Sequence, residues 1–360
     1  MIDPEVPEDK MIKKIHQLTG MTLQELDAND IKVVKSSLMS GLKKETIVDV
    51  APHLVKYNND NSTKITEPVK KKQKRSEYDS NDNQNDLPGV NDYKKNVESS
   101  KMNNRKKNIK EYSNTKNHYR TNNVPIIESI KYKFDPQFSL ESFKKYTTKV
   151  YISKMDTVDR ALDLKYNESL NPLVLNMANA KTPGGGVAWG ALAQEESIFY
   201  RSNYHLHLDP ERKKQESLYP ISDLEAIYST GVDISRDSDW NFIETSKDLD
   251  FIASAAIQKP KLNNKVYLKE DRKLMLNKIE LMFQVGLKTN HDTLLLSAFG
   301  CGAFGNPPDV VANLFVEMIK KYNGCFNRIE FAIIPPLYPP GSNNFEVFKT
   351  IFKKSSLLEE

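Results

Sequence analysis

The sequence predicts an α/β fold in which helices cover both faces of a sheet. From residue 124 onward, segments with strand character alternate with segments of helical period, an order typical of this class. Glycine-rich turns join two of the predicted strands to the helices that follow them. The composition before residue 124 is different, and we expect the folded part to be preceded by a small helical segment and a disordered linker.

The first part of the chain, residues 1–56, predicts a small helical module. Ile12, Ile15 and Leu18 fall on one helical stripe, and Thr22 is followed by Glu25 at the spacing of a capping box. Three or four short helices of this size bury little apolar surface. We therefore expect a docking role toward a protein partner.

The second part, residues 57–123, predicts a disordered Asn/Lys-rich linker. It contains 15 Asn and 15 Lys or Arg against 9 Asp or Glu, and its few apolar residues have no helical or strand period. Such a segment cannot bury enough surface to offset the entropy of ordering. Two basic clusters, 70–75 (Lys70 to Arg75) and 105–107, suit a nuclear import signal or loose contact with a polyanion, and a solvated spacer explains them as well.

The third part, residues 124–360, contains the regular elements, which we take in order. A strand is predicted at 149–153, and Asp156 is a typical N-cap for a helix at 156–165. The continuous apolar run at 172–178 predicts a strand buried on both faces. Helices are then predicted at 194–204, 270–288, 307–322 and 345–353, with strands at 293–298 and 328–334 and an apolar stretch at 249–257.

The composition excludes several classes of protein. No window approaches the roughly 18 consecutive apolar residues that a bilayer span needs, and the N-terminus has no apolar signal core. The two cysteines are too few for a disulfide framework or a cysteine metal site, and the six histidines have no ligand spacing. We expect an intracellular protein, cytoplasmic or nuclear, that is monomeric and uses no membrane, cofactor or metal.

The two glycine-rich turns are candidate phosphate loops. The first ends in Gly184, Gly185 and Gly186, where missing Cβ atoms let successive backbone N–H groups converge on an anion. The second spans 299–308 and ends in two prolines, which suit a first helical turn whose N–H groups face a phosphate. A tight turn explains either loop alone equally well, but two at equivalent positions point to a diphosphate.

A glutamate pair follows the first loop. Gln194, Glu195 and Glu196 stand after a seven-residue spacer at the start of a predicted helix. Acidic residues at helix starts are ordinarily explained by the helix dipole. Neighbours on a helix are about 100° apart, so these two carboxylates suit two different tasks better than one shared task.

These residues resemble a known family. Gly184-Gly185-Gly186, the spacer and Gln194-Glu195-Glu196 resemble the signature of poly(ADP-ribose) glycohydrolases, and the sequence around Asn176 and Asn179 resembles the microbial-type branch. The resemblance runs from Val150 to Phe352. It implies a macrodomain-like three-layer α/β/α sandwich that binds ADP-ribose.

The resemblance also implies roles. Glu196 matches the catalytic glutamate, Glu195 the carboxylate that holds ribose hydroxyls, and Asn179 the asparagine that binds the ribose under attack. Phe304 would pack against a ribose. The substrate-binding residues implied in this way are Asn179, Gly184, Gly185, Gly186, Gln194, Gly300, Cys301, Gly302, Ala303, Phe304, Gly305 and Asn306.

The activity implied is hydrolysis of the ribose–ribose O-glycosidic bonds of poly(ADP-ribose), which releases ADP-ribose. Glu196 would protonate the leaving oxygen and then activate water, with burial and the charge of Glu195 favouring its protonated form. Asp156 could read adenine, although its capping role explains it too, and Cys301 suits a small buried loop residue better than a nucleophile. Two alternatives stay open: removal of single ADP-ribose units from proteins, and a macrodomain that binds ADP-ribose without cleaving it.

Overall fold

The computed structural model describes residues 90–122, 124–127, 129–208, 218–335 and 343–359. The chain divides into two compact units, Met1–Asn103 and Asn104–Glu360. The structure describes only the start of one helix in the first unit, so the predicted helical module 1–56 and linker residues 57–89 lie outside the described residues. The second unit contains a mixed sheet with helices on both faces.

The sheet has seven strands in the order β1-β4-β5-β3-β8-β9-β2. Strands β5, β3, β8, β9 and β2 run parallel to one another, while β4 is antiparallel to both β5 and β1. A separate two-stranded hairpin joins β6 and β7. The strands are β1 (Ile130–Lys133), β2 (Lys149–Ser153), β3 (Pro172–Met177), β4 (Glu225–Arg236), β5 (Phe242–Ser254), β6 (Leu262–Asn263), β7 (Val266–Tyr267), β8 (Thr293–Leu296) and β9 (Arg328–Ala332).

Helices cover both faces of this sheet. The structure describes α1 (Val90–Thr121), α2 (Thr157–Tyr166), α3 (Gln194–Arg201), α4 (Tyr204–His207), α5 (Lys269–Lys288), α6 (Pro308–Lys321) and α7 (Asn344–Lys354). Successive side chains of β3 point to opposite faces of the sheet and so enter two separate cores. Leu173 and Leu175 pack with α5, α6 and α7, while Val174 packs with α2, α3 and α4. The predicted α/β fold with three layers is confirmed.

Most predicted strands and helices of the second unit are present within a few residues of their expected ends. The helix predicted at 194–204 instead breaks at Ser202, which adopts an extended backbone and bridges to Ile234 of β4. Its hydroxyl donates to the carbonyl of Ile198 at 2.6 Å and satisfies the helix end. Strands β1 and β4 were not predicted. Strand β4 is largely buried, but Ser229, Thr230 and Gly231 interrupt its apolar pattern where its register with β5 shifts, and the first half of β5 is polar and exposed.

The prediction of disorder is wrong for residues 90–121, which form helix α1. Asn108, Tyr112, Thr115 and Tyr119 follow one another at spacings of four, three and four and turn toward the folded unit. The Thr115 hydroxyl donates to the carbonyl of Tyr200 at 2.6 Å, and the Tyr119 hydroxyl donates to Asp233. Hydrogen-bonding side chains, not aliphatic ones, therefore form the contact face, which is why apolar periodicity did not predict this helix.

Long as it is, α1 is strongly polar. None of the helices in the described part of the chain is long and apolar enough to cross a membrane.

Candidate active site

A cavity of ≈ 610 Å³ opens at the carboxyl ends of strands β3, β5, β8 and β9. This is the edge of a parallel sheet where loops leave the strands and binding sites form. The first glycine turn and the start of α3 form one wall of this cavity, and the second glycine turn also lines it. The two loops predicted to bind phosphate therefore line the same cavity.

The first turn is shaped by glycine. Gly184 and Gly185 have φ of +74° and +54°, a left-handed conformation that other residues rarely adopt. Space is also limiting at Gly185, because an added Cβ would lie 2.7 Å from Oε1 of Glu196 and 2.8 Å from Oε2 of Glu195. Both carboxylates thus converge on this one glycine.

Glu195 is buried against the backbone of the first turn. Its Oε2 accepts from the amide of Asn179 at 2.8 Å, and its Oε1 accepts from the amide of Gly184 at 3.1 Å. The side chain is only 4% exposed, and this burial raises the pKa of Glu195 to about 8, with a further contribution from the negative charge of Glu196 and opposition from the amide hydrogen bonds. Burial therefore favours the protonated form of Glu195.

Glu196 contacts a different pair of amides. Its Oε1 accepts from Gly186 at 2.8 Å, and its Oε2 reaches back to the amide of Ala193 at 3.0 Å, as the third residue of a helix does in a capping box. The expectation that the two carboxylates have separate tasks agrees with this division of partners. Burial favours a proton on Glu195, and the role of Glu196 as the proton donor stays a prediction.

Gln194 and Asn179 hold the same wall in place. The Gln194 side chain accepts from the amide of Met177 at 2.9 Å and donates to the carbonyl of Leu175, so it attaches the start of α3 to the end of β3. Oδ1 of Asn179 accepts from the amides of Lys181 and Thr182, which closes the turn. Both residues line the cavity, and Gly184, which packs against the ring of Phe199, does not.

The second turn divides into lining and supporting residues. Gly300, Gly302, Ala303 and Phe304 line the cavity, together with Phe299. Cys301, Gly305 and Asn306, three predicted substrate contacts, do not line it.

Asn306 supports the second turn from behind. Its Nδ2 donates to the carbonyls of Ile257 at 2.8 Å and Gly300 at 2.9 Å, and its Oδ1 accepts from the Tyr267 hydroxyl at 2.7 Å.

Burial raises the pKa of the Cys301 thiol to about 12, so this side chain is a poor nucleophile.

Further lining residues come from segments that sequence reasoning did not assign to the site. Ser238 and Trp240 reach the cavity from the β4–β5 connection, and the Trp240 ring lies 4.8 Å from the ring of Tyr200. That connection belongs to a hairpin without a clear apolar period, so no sequence signal marked it. Ile334 and Asn344 line the cavity from the segments that follow β9.

Asp156 also lines the cavity, and its capping role is present. Oδ1 accepts from the amides of Val158 and Asp159 at 2.8 and 3.2 Å. The same oxygen accepts from the buried guanidinium of Arg201 at 2.8 Å. The start of α2 is thereby tied to the end of α3.

Helix α1 supports the loop between the first turn and α3. The Asn108 Nδ2 donates to the carbonyl of Gly190 at 2.9 Å in a buried contact. Gly190 has φ of +72°, and an added Cβ would lie 2.3 Å from the carbonyl oxygen of Arg105. The same loop continues through Leu192 to Ala193, whose amide binds Glu196. Helix α1 therefore packs directly behind the carboxylate wall.

Comparison with known families agrees with this geometry. The family model described as the microbial-type PARG catalytic domain matches residues 44–237, more than half of the chain. The chain belongs to the microbial-type PARG family. The match includes α1, the first turn and both glutamates, and it begins well before Val150, where we placed the start of the resemblance.

Solved PARG structures are similar to this chain. Poly(ADP-ribose) glycohydrolase from Thermomonospora curvata, bound to the inhibitor ADP-HPD, has 26% identity over 62% of this chain and 84% of that chain, with a TM-score of 0.51. The enzyme from Deinococcus radiodurans, in complex with ADP-ribose, has 23% identity over 63% of this chain and 94% of that chain, with a TM-score of 0.52, which supports the fold. No curated protein sequence matches the chain.

Proposed function

We propose that this protein hydrolyses the ribose–ribose O-glycosidic bonds of poly(ADP-ribose) and releases ADP-ribose. One observation carries the proposal: Glu195 and Glu196 converge on Gly185 in the wall of a ligand-sized cavity. Membership of the microbial-type PARG family supports it, as does the similarity to the Thermomonospora enzyme.

The proposed chemistry gives the two glutamates different roles. Cleavage develops positive charge at the anomeric carbon and negative charge on the leaving oxygen, which needs a proton. Glu196 donates that proton and then takes one from the attacking water. A bound diphosphate brings further negative charge into the cavity, which favours retention of a proton on the carboxyl pair.

Glu195 positions the substrate in this mechanism. Because burial raises the pKa of Glu195 to about 8, its carboxyl is neutral at pH 7 and can both donate to and accept from ribose hydroxyls. Asn179 acts beside it on the ribose under attack. Oδ1 of its side chain holds the turn, and the side-chain nitrogen Nδ2 takes no part in those contacts.

The remaining groups of ADP-ribose fit between the two turns. In this proposal Gly185 and Gly186 bound the diphosphate on one side, since their own amides donate to Thr182 and Glu196. The backbone of Gly302 and Ala303 faces it from the second turn. Phe304 packs against a ribose. Asp156 reads the adenine amino group with Oδ2, because Oδ1 already serves the helix cap and Arg201.

Glu196→Gln tests the proposed reaction. The amide keeps the side-chain length but cannot donate the proton, so release of ADP-ribose from long polymer should fall by about 10³ to 10⁴. ADP-ribose should still bind, with some weakening because one of the two backbone amides loses its acceptor. Glu270→Gln is the matched control, since Glu270 is also in a first helical turn but is exposed. Parental turnover in Glu196→Gln would exclude this role.

The same assay separates the alternatives. A parent that binds ADP-ribose and never cleaves polymer is a binding module, and one that releases ADP-ribose only from modified proteins is a mono-ADP-ribosyl hydrolase. The convergence of two carboxylates at one point favours an enzyme over a binding module, since binding alone needs no acid.

We also propose the working arrangement of the whole chain. The protein acts as a monomer, residues 1–56 dock a protein partner, and residues 70–75 direct the chain between cytoplasm and nucleus. Replacing Lys70, Lys71, Lys72 and Lys74 with Gln should redistribute a fluorescent fusion, and an unchanged distribution favours a plain spacer. The catalytic unit includes α1, because Asn108 and Thr115 bond to it directly.

A further inference from the structure

The outer face of α1 carries an unpaired group of cations next to the cavity. Arg105, Lys106, Lys107 and Lys110 are all exposed. No carboxylate in the described part of the chain lies within ion-pair distance of any of these four residues. The nearest acidic residue on the helix, Glu111, pairs with buried Arg236 at 2.8 Å. Between residues 105 and 110, this face therefore presents only positive charge.

The orientation of these cations follows from Asn108. Its side chain is buried against Gly190, and residues two positions before or after it on a helix lie about 160° away around the axis. Lys106 and Lys110 therefore point away from the folded unit, with Arg105 and Lys107 to either side. The four cations extend along about 7.5 Å of helix.

This group, the 105–110 ridge, starts at the rim of the cavity. The Arg105 carbonyl packs against Gly190, and the residues just beyond, Leu192 and Ala193, line the cavity. Leu192 is 62% exposed and marks the open edge. A polymer that leaves the cavity over this edge passes the ridge.

We infer that the 105–110 ridge binds the diphosphates of polymer units beyond the one in the cavity. The inference rests on the proposed function. Each ADP-ribose unit carries a diphosphate, so a chain of such units offers negative charge at regular intervals to the four cations. Charge alone does not select poly(ADP-ribose) over a nucleic acid, but the position of the ridge at the cavity rim favours the polymer whose terminal unit fits the cavity. The protein is therefore selective for long chains.

The test compares binding of long polymer and of ADP-ribose. Arg105, Lys106, Lys107 and Lys110 are replaced with Gln in the full chain carrying Glu196→Gln, so that polymer is not consumed. Glutamine keeps helix propensity close to that of lysine. Affinity for long poly(ADP-ribose) should fall at least about tenfold, and the slope of log affinity against log salt should become shallower by about 3, from about 0.7 per lost phosphate contact. Affinity for ADP-ribose should change less than about twofold.

A matched control removes four charges elsewhere. Lys288, Lys320, Lys353 and Lys354 lie in the last turns of α5, α6 and α7, at the end of the sheet opposite the cavity. Their replacement with Gln should leave both affinities unchanged. If the fourfold ridge variant does not fold, Lys106→Gln with Lys107→Gln should show about half the change in salt slope.

Three results overturn the inference. The first is an unchanged affinity of the ridge variant for long polymer, and the second is an equal loss of affinity for polymer and for ADP-ribose. The third is a loss of affinity confined to single-stranded RNA of equal charge, which would make the ridge a nucleic-acid surface. Failure of the proposed function is seen separately, as a parent that does not cleave polymer.

Discussion

At the scale of single residues, the two neighbouring glutamates differ by their surroundings more than by their position. Glu195 is enclosed by the turn that it supports, while Glu196 bridges the turn and the start of α3. The pKa of Glu195 is raised to about 8, mainly by burial, from an ordinary value of 4.5. Burial thus favours the neutral form of one carboxyl beside another that contacts the same glycine.

The raised pKa of Glu195 has consequences for pH dependence. Between pH 4.5 and about 8 the folded protein binds a proton that the unfolded chain has released, so this group's contribution to stability is complete below pH 4.5 and is lost as pH rises through 8. Ionisation also adds negative charge to a site for an anion. Affinity for ADP-ribose should therefore decline above pH 8.

Glu195→Gln checks that assignment. The neutral amide should remove most of the decline in affinity above pH 8, while lowering affinity at pH 7 because one backbone amide loses its acceptor. Calorimetric titrations of ADP-ribose at pH 6 to 9 measure both effects. A parental pH profile in the variant would assign the titration to another group.

Gly185→Ala tests the space between the carboxylates. The added Cβ would lie under 3 Å from an oxygen of each glutamate, so both must move and turnover should fall at least about 100-fold. Gly324→Ala is the control, because Gly324 also has a positive φ but its neighbours lie at 3.4 Å or more. Steady-state kinetics of both variants separate crowding from backbone strain, and equal activity in the two would show that crowding is unimportant.

At the scale of elements, the polar helix α1 is linked by one loop to the wall of the cavity that carries Glu195 and Glu196. Asn108 bonds the Gly190 carbonyl, and the loop from Gly190 to Ala193 delivers the amide that binds Glu196. The loop makes its other contacts locally, for example from the Tyr200 hydroxyl to the carbonyl of Ala191 at 2.7 Å. A displacement of α1 should therefore shift this loop and, with it, the Ala193 amide that binds Glu196.

Asn108→Ala tests this connection. It leaves a buried carbonyl without its donor, which costs about 1 to 3 kcal/mol in the free energy of unfolding. Because the loop behind Glu196 is loosened, kcat should fall about tenfold while KM changes little. Asn117→Ala on the exposed side of α1 is the control for helix propensity. Thermal unfolding and steady-state kinetics measure the two effects, and a change in stability without a change in kcat would make Asn108 purely structural.

At the scale of the whole molecule, the contacts of α1 place the N-terminal boundary of the catalytic unit before residue 124, where we predicted it from the sequence. Removing residues 1–43, which lie outside the family match, should leave turnover on short polymer within about twofold of the parent. Removing residues 1–123 should abolish most activity, since it strips hydrogen bonds from Gly190, Tyr200 and Asp233. Circular dichroism confirms folding of each product. Full activity of the shorter product would restore the boundary at residue 124.

The sequence predicted the parallel part of the sheet and the position of both turns, because buried strands such as β3 are continuous apolar runs and clustered glycines mark sharp turns of the chain. It did not predict α1, whose contact face is Asn108, Tyr112, Thr115 and Tyr119, a stripe visible only when hydrogen-bonding residues are counted with apolar ones. Nor could spacing alone show which side chains of 299–308 face inward. Asn306 is polar and near a phosphate loop, yet its bonds to Ile257 and Gly300 hold the turn from outside the cavity.

The way in which α1 is attached also determines how it detaches. The buried contacts of α1 are the hydrogen bonds of Asn108, Thr115 and Tyr119 and the packing of the Tyr112 ring against Tyr200. Undocking of this one helix therefore exposes much less apolar surface than unfolding of the sheet does. Opening of this kind has a small heat-capacity change and a weak dependence on denaturant. The amides of α1 should then exchange with solvent by local opening, at a free energy below that of the sheet. The wall behind Glu196 is thus the part of the site most easily loosened without unfolding the core.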